Sequence, residues 1–168
     1  MLKNLQKLRS NNKGFTIIEV MIVLAIAGMI ILVVLLAIPA LQRNARNTAI
    51  KNDASAITGG ISEFASNNDG AIPTAAGSSY ASGVVTLNNG VPVTAATAKV
   101  QGSTAVTFGQ ATVAAYTPTA GNIYVDFGAK CPPVVSGLTV TPVASTRATA
   151  VIYATEAAGG LQARCLDS

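Results

Sequence analysis

An apolar run from Phe15 to Ile38 constrains the fold of this chain more than any other feature. Its only charged side chain is Glu19, and its only other polar side chain is Thr16. As a helix the run would be about 36 Å long, enough to cross a hydrocarbon core of about 30 Å. Lipid offers the backbone no hydrogen-bond partners, so we expect a helix despite the many β-branched residues. The run therefore predicts a membrane-spanning helix.

The excess basic charge of the chain lies before this run. The formal net charge is +4, and four basic residues precede the run without any acid among them: Lys3, Lys7, Arg9 and Lys13. By the positive-inside rule, this places the N-terminal side of the helix in the cytoplasm and the remaining chain outside. Basic and acidic side chains balance over residues 15–168, with seven of each. Nucleic-acid binding through overall charge is therefore not predicted.

A second helical pattern follows Pro39. Apolar residues recur at spacings of three and four, which places them on one face that we expect to be head core: Ile50, Ala54, Ile57, Ile61 and Phe64. Polar residues flank this face, and we expect a solvated or inter-subunit surface rather than a DNA contact: Arg43, Arg46, Asn47, Lys51 and Asp53. We predict one helix from about Phe15 to about Asn67, kinked at Pro39 because proline removes an N–H and crowds the preceding turn.

Strand and turn patterns fill residues 70–168. Val84–Leu87 and Val91–Val93 flank Asn88-Asn89-Gly90, which predicts a short hairpin. Further predicted strands are Thr104–Phe108, Ala111–Tyr116, Asn122–Phe127, Leu138–Val143, Ala148–Tyr153 and Gln162–Leu166. The predicted fold class is α+β, with the long kinked helix packed against a small antiparallel β-sheet head.

Cys131 and Cys165 both lie in the part expected outside the cell, where a disulfide can form and persist. Two cysteines allow one intramolecular pairing, so we predict a bridge between them. The alternative is two separately buried thiols.

The residues at the start of the apolar run decide between kinds of exported protein. A secretory signal cut after Ala25-Ile26-Ala27 would leave an apolar new N-terminus, which is implausible for a soluble protein. A single-pass anchor that carries a surface domain explains the length of the run but not Glu19. An acid inside a membrane helix is costly and indicates a function.

The stretch Lys13-Gly14-Phe15-Thr16-Ile17-Ile18-Glu19-Val20 resembles the processing site of type IV prepilins. In that family a basic leader and a glycine precede Phe-Thr-hydrophobic-hydrophobic-Glu at the start of an apolar helix. The resemblance implies cleavage between Gly14 and Phe15 by a prepilin peptidase, followed by methylation of the new Phe15 amine. It also matches Glu19 to the family's glutamate, and it makes Pro39 a candidate for local helix melting during polymerisation.

The resemblance implies a structural subunit of an extracellular type IV pilus filament. Its expected parts are a removed leader (1–14), a transmembrane and assembly helix (15–38), an amphipathic helix (39–69) and a β-rich head (70–168). The expected partners are identical subunits, the prepilin peptidase, the cytoplasmic membrane before assembly, and the assembly platform with its ATPase. The alternative within the resemblance is a pseudopilin of a type II secretion or DNA-uptake machine.

Glu19 is predicted to set the register between subunits. A buried ammonium and a buried carboxylate are each costly alone, and pairing offsets most of that cost. If Phe15 of one subunit meets Glu19 of a neighbour, only the correct axial stagger leaves neither charge unpaired.

Catalysis is not predicted. The chain has no histidine, which excludes imidazole triads and imidazole metal sites, and its acids show no paired spacing. The sequence therefore predicts no enzyme, no cofactor and no metal.

Overall fold

The computed structural model describes residues 14–90, 93–101, 103–111, 114–135 and 137–168. The chain divides into two compact units, one ending at Leu41 and the other spanning Gln42–Ser168. The helix α1 (Ile17–Asn67) contributes to both units, and the seven strands of the described residues all lie in the second. The architecture is α+β, as the sequence predicted.

The N-terminal part of α1 is an apolar helix whose side chains are exposed. Phe15 is 87% exposed and Ile17 is 80% exposed, and no residue of the most apolar window is buried. By length and composition this is a helix that could cross a membrane. The helix continues through Pro39, and the kink predicted there remains a prediction.

The second half of α1 buries the predicted apolar face. Ala54, Ile57 and Phe64 have no exposed surface, and Ile50 and Ile61 are almost fully buried. This confirms the predicted head-core face of the helix. Burying side chains of this size contributes about 1.5–3 kcal/mol each, so this face is a large part of what holds the head together.

The chain leaves α1 through a left-handed turn. The Gly70 N–H donates to the Ala65 carbonyl over 2.8 Å, and the Asn68 side-chain amide donates to the Phe64 carbonyl over 2.7 Å. Asp69 and Gly70 adopt φ of 53° and 78°, which aspartate and glycine tolerate better than most residues. The helix end predicted at about Asn67 is confirmed.

The first sheet is antiparallel, in the order β1 (Ser79–Ala81), β2 (Val84–Leu87) and β3 (Ala96–Lys99). Ser82 and Gly83, with φ of 50° and 78°, form the tight turn between β1 and β2.

The predicted hairpin forms with a different second strand. Val84–Leu87 is β2, but it pairs antiparallel with β3 (Ala96–Lys99) and not with Val91–Val93, and residues 93–95 lie outside strands. The Asn88 Oδ1 accepts the N–H groups of Asn89 and Gly90, and this Asx turn leads the chain into a loop instead. Val91 and Pro92 lie outside the described residues.

The second sheet is mixed, in the order β4 (Ala105–Gln110), β5 (Asn122–Lys130), β6 (Val143–Ala157) and β7 (Gly160–Asp167). β4 and β5 are parallel, whereas the other two pairs are antiparallel. The prediction of a wholly antiparallel head is therefore wrong for this pair. Residues 111–121 form the long return connection that parallel neighbours require.

Two of the predicted strands are loops in the structure. Residues 114–116 and 137–142 belong to no strand, although Tyr116 and Val140 form an isolated antiparallel bridge. Residues 112, 113 and 136 lie outside the described residues. Both loops contribute to a second hydrophobic cluster, which also includes Ala150 and Ile152 of β6, whereas the first cluster lies between α1 and the sheets.

Candidate functional site

The helix α1 begins two residues after the predicted cleavage point. Gly14, Phe15 and Thr16 are exposed and lie outside α1, which begins at Ile17. A Cβ built on Gly14 would meet no atom within 4 Å. None of the described residues therefore packs over the Gly14–Phe15 bond.

Thr16 and Glu19 form a reciprocal cap at this helix start. The Thr16 N–H and the Thr16 hydroxyl each donate to Glu19 Oε2 over 2.9 Å. In return, the Glu19 N–H donates to Thr16 Oγ1 over 3.3 Å. This is the capping-box arrangement, in which a threonine before the first helical residue pairs with a glutamate three positions later.

The capping box gives Glu19 a partner within its own chain. The sequence indicated that Glu19 needs a partner, and it placed that partner in a neighbouring subunit. The structure adds Thr16, whose two donors both bind Oε2. The spacing Thr-x-x-Glu before an apolar run was a visible signal for this cap. Cleavage at Gly14–Phe15, methylation of Phe15 and the register role of Glu19 remain predictions.

A polar clamp holds α1 to the end of β6 inside the head. Arg46 donates from Nε and Nη2 to the two carboxylate oxygens of Glu156, over 2.7 and 2.6 Å. These bonds hold the pKa of the Glu156 carboxyl below its usual range and raise the pKa of the Arg46 guanidinium. Arg46, predicted to lie on a solvated face, is thus half-exposed and paired.

Asn47 completes this clamp through the backbone of Glu156. Its Nδ2 donates to the Glu156 carbonyl and its Oδ1 accepts the Glu156 N–H, both over 2.7 Å. The side-chain amide thus satisfies both backbone polar groups at the end of β6. The two residues are 109 positions apart, and no pattern in the sequence indicated their pairing.

Asp53 is a correction to the predicted polar face. It is only 4% exposed and accepts hydrogen bonds from the Gln101 N–H over 3.1 Å and from the Thr104 hydroxyl over 2.5 Å. A buried carboxylate needs such donors, because leaving it without them would be costly. Asp53 therefore ties α1 to the segment between β3 and β4.

The predicted bridge between Cys131 and Cys165 is present, with a Cα–Cα distance of 5.8 Å. It joins the residue after β5 to β7, and the Asp167 carboxylate accepts the Cys131 N–H. Closing a loop of 34 residues contributes about 3–4 kcal/mol in the chain-entropy picture. The rings of Tyr116 and Tyr124, which belong to the same cluster as the cysteines, stack with centroids 4.2 Å apart.

A groove of about 570 Å³ in the head is lined by the clamp, with apolar residues such as Ile50 and Ala154 beside it. Among the described residues, no group of three or more cysteine or acidic side chains could hold a metal ion.

The comparisons with known proteins identify the N-terminal part of the chain. Residues 9–35 match the family model described as the prokaryotic N-terminal methylation motif. Searches of curated proteins and of solved structures found no match. This motif is the signature of type IV prepilins and pseudopilins, a class that is structural rather than enzymatic.

The motif and the apolar helix together support one class of protein. Residues 9–35 carry the signature of a type IV pilin-like or pseudopilin-like precursor, of the kind that a prepilin peptidase processes. The transmembrane-capable helix and the disulfide of the head fit that class.

Proposed function

We propose that this chain is the structural subunit of an extracellular type IV pilus filament, cleaved between Gly14 and Phe15 and assembled through α1. The observation that carries this proposal is the combination at the start of α1. An exposed Gly14–Phe15 junction is followed at once by a capped glutamate, and then by a long apolar helix surface that is exposed in the single chain.

The exposed apolar surface requires a cover. In the precursor, lipid surrounds it, because the helix is long enough to cross a membrane. Outside the membrane, the same surface in water would cause association, since soluble proteins rarely expose apolar patches of such size. Identical helices packed side by side in a filament core bury it, with removal of apolar area from water as the driving force.

Glu19 sets the stagger of those helices. Cleavage leaves Phe15 with a free amine, which the prepilin peptidase then methylates and which stays positively charged. The two Thr16 donors occupy Oε2 of Glu19, and no described residue donates to Oε1. Oε1 is the atom that receives the ammonium of a neighbouring Phe15, and a wrong stagger leaves both charges without partners.

The precursor resides in the cytoplasmic membrane, with residues 1–14 on the cytoplasmic side. Its partners are the prepilin peptidase, the assembly platform with its ATPase, and further copies of itself. The mature chain then belongs to a cell-surface filament. Motif and helix fit a pseudopilin equally, so the size and place of the assembly decide between the two functions.

Cryo-electron microscopy of filaments sheared from the cell surface tests this proposal. We expect a map built from this chain, with α1 in the core and the Glu19 carboxylate within about 4 Å of a neighbour's Phe15 amine. A filament made of another chain would contradict it. A short assembly confined to the cell envelope, without surface filaments, would identify a pseudopilin instead.

A further inference from the structure

We propose that Thr16 is a positioning residue for the processing reaction: it fixes the start of α1 so that the Gly14–Phe15 bond stays outside the helix. The inference rests on the proposed cleavage at that bond. Hydrolysis adds water across the Gly14–Phe15 amide, leaving a carboxylate on Gly14 and an ammonium on Phe15. Thr16 takes no part in that bond exchange and acts only on the shape of the substrate.

The position of the cap relative to the bond carries this inference. α1 begins at Ile17, so that only Phe15 and Thr16 separate the helix from the Gly14 carbonyl. The Thr16 hydroxyl accepts the N–H of residue 19, which satisfies a donor that the helix start would otherwise leave unpaired. The bonds from Thr16 to Glu19 Oε2 reinforce the same boundary.

The sequence before the bond contains competing helix starts. Asn11 and Asn12 are strong N-cap residues, and Ser10 is another. If Asn12 capped the helix, Lys13, Gly14 and Phe15 would be its first three helical residues. The bond to be cleaved would then lie inside the first turn. The Thr16 hydroxyl, bonded to the N–H of residue 19, is therefore what keeps the boundary downstream.

A helical bond is a poor substrate for hydrolysis. Proteolysis favours exposed, irregular segments, and a structured site must open before it is cut. When part of the precursor population holds Gly14 and Phe15 in a helical turn, the rate falls in proportion to the population that remains open. Losing an N-cap of ordinary strength changes the equilibrium constant between the open and helical forms about fivefold.

The test uses full-length precursor in detergent micelles, with purified prepilin peptidase and initial rates measured by mass spectrometry. Thr16→Val keeps the shape of the side chain and removes the hydroxyl, whereas Thr16→Ser keeps the hydroxyl. Thr48→Val is the matched control, because it removes from the same helix a hydroxyl that donates to the Asn44 carbonyl over 2.9 Å. The ¹³Cα chemical shifts of Gly14 and Phe15 report whether they are helical.

We expect Thr16→Val to lower the cleavage rate by up to about fivefold, with helical ¹³Cα shifts at Gly14 and Phe15. Thr16→Ser and Thr48→Val should be cleaved like the wild type, with unchanged shifts. A Thr16→Val rate equal to that of the wild type overturns the inference. A slow Thr16→Val with unchanged shifts also overturns it, because Thr16 would then act by touching the peptidase. If the wild-type precursor is not cut at Gly14–Phe15, the proposed function itself fails.

Discussion

Asn47 of α1 pairs its side-chain amide with both backbone polar groups of Glu156, the residue that also receives Arg46. Together, the side chains of Arg46 and Asn47 join the helix to Glu156 near the end of β6. Here, as at Asp53, the head part of α1 is held by specific hydrogen bonds in addition to apolar packing. Losing it should therefore affect the stability of the head.

Asn47→Ala should destabilise the head by about 1–3 kcal/mol. The substitution leaves a partly buried N–H and carbonyl of Glu156 without partners, and unmade hydrogen bonds of this kind cost that amount. Chemical denaturation of full-length protein in detergent, followed by near-ultraviolet circular dichroism, measures the change. Asn52→Ala, at an exposed position of the same helix, is the control. Equal stabilities of the two variants would show that the clamp contributes nothing.

The pair of Arg46 and Glu156 should make the head sensitive to acid. The pKa of the Glu156 carboxyl is lower in the folded state than its unfolded value of about 4.3. Its contribution is therefore present above about pH 4.3 and is lost as the pH falls through the lower folded value. Thermal unfolding between about pH 6 and pH 3 should show a smaller loss of Tm in Glu156→Gln than in the wild type. An identical loss would assign the acid sensitivity to other groups.

The adjacent glycines Gly59 and Gly60 should respond differently to alanine. A Cβ on Gly59 meets no atom within 4 Å, so Gly59→Ala should stabilise the helix by about 1 kcal/mol. A Cβ on Gly60 lies 3.2 Å from Leu87 Cδ1 and 3.3 Å from Ala98 Cβ, closer than ordinary packing. Gly60→Ala should therefore be less stable than Gly59→Ala by about 1–2 kcal/mol, as measured by denaturation. Equal effects would mean that the helix and first sheet move apart freely.

Glu19→Ala should sharply reduce or abolish filaments while the precursor is still inserted and cleaved. The variant lacks the carboxylate, but residue 19 keeps the N–H that donates to Thr16 Oγ1, so the helix start survives. Counts of surface filaments by electron microscopy, with immunoblots for precursor and mature chain, measure both effects. Glu63→Ala, which removes an exposed acid from the head, is the control. Normal piliation by Glu19→Ala would refute the register role.

Local patterns in the sequence predicted the features that depend on local physics. The spacing from Ile50 to Phe64 identified the buried face of α1, because a helical period can be counted directly. The length and composition of the apolar run identified the exposed N-terminal part of α1. The turn residues after Asn67 marked where α1 ends.

Features that depend on distant contacts were missed. Asp53 looked like surface, because nothing nearby indicates that Thr104 donates to it. β1 and β3 are short and poor in large apolar residues, so they lacked a strand signal. The parallel pairing of β4 with β5 depends on how the chain returns through residues 111–121, which residue alternation does not report.

Intact-mass and N-terminal peptide analysis of filaments sheared from the cell surface tests the central claim most directly. The proposal predicts this chain as the filament subunit, beginning at Phe15 and carrying a methylated amine. A chain that retains residues 1–14, or that is missing from the sheared fraction, would contradict it and favour an anchored domain that does not polymerise.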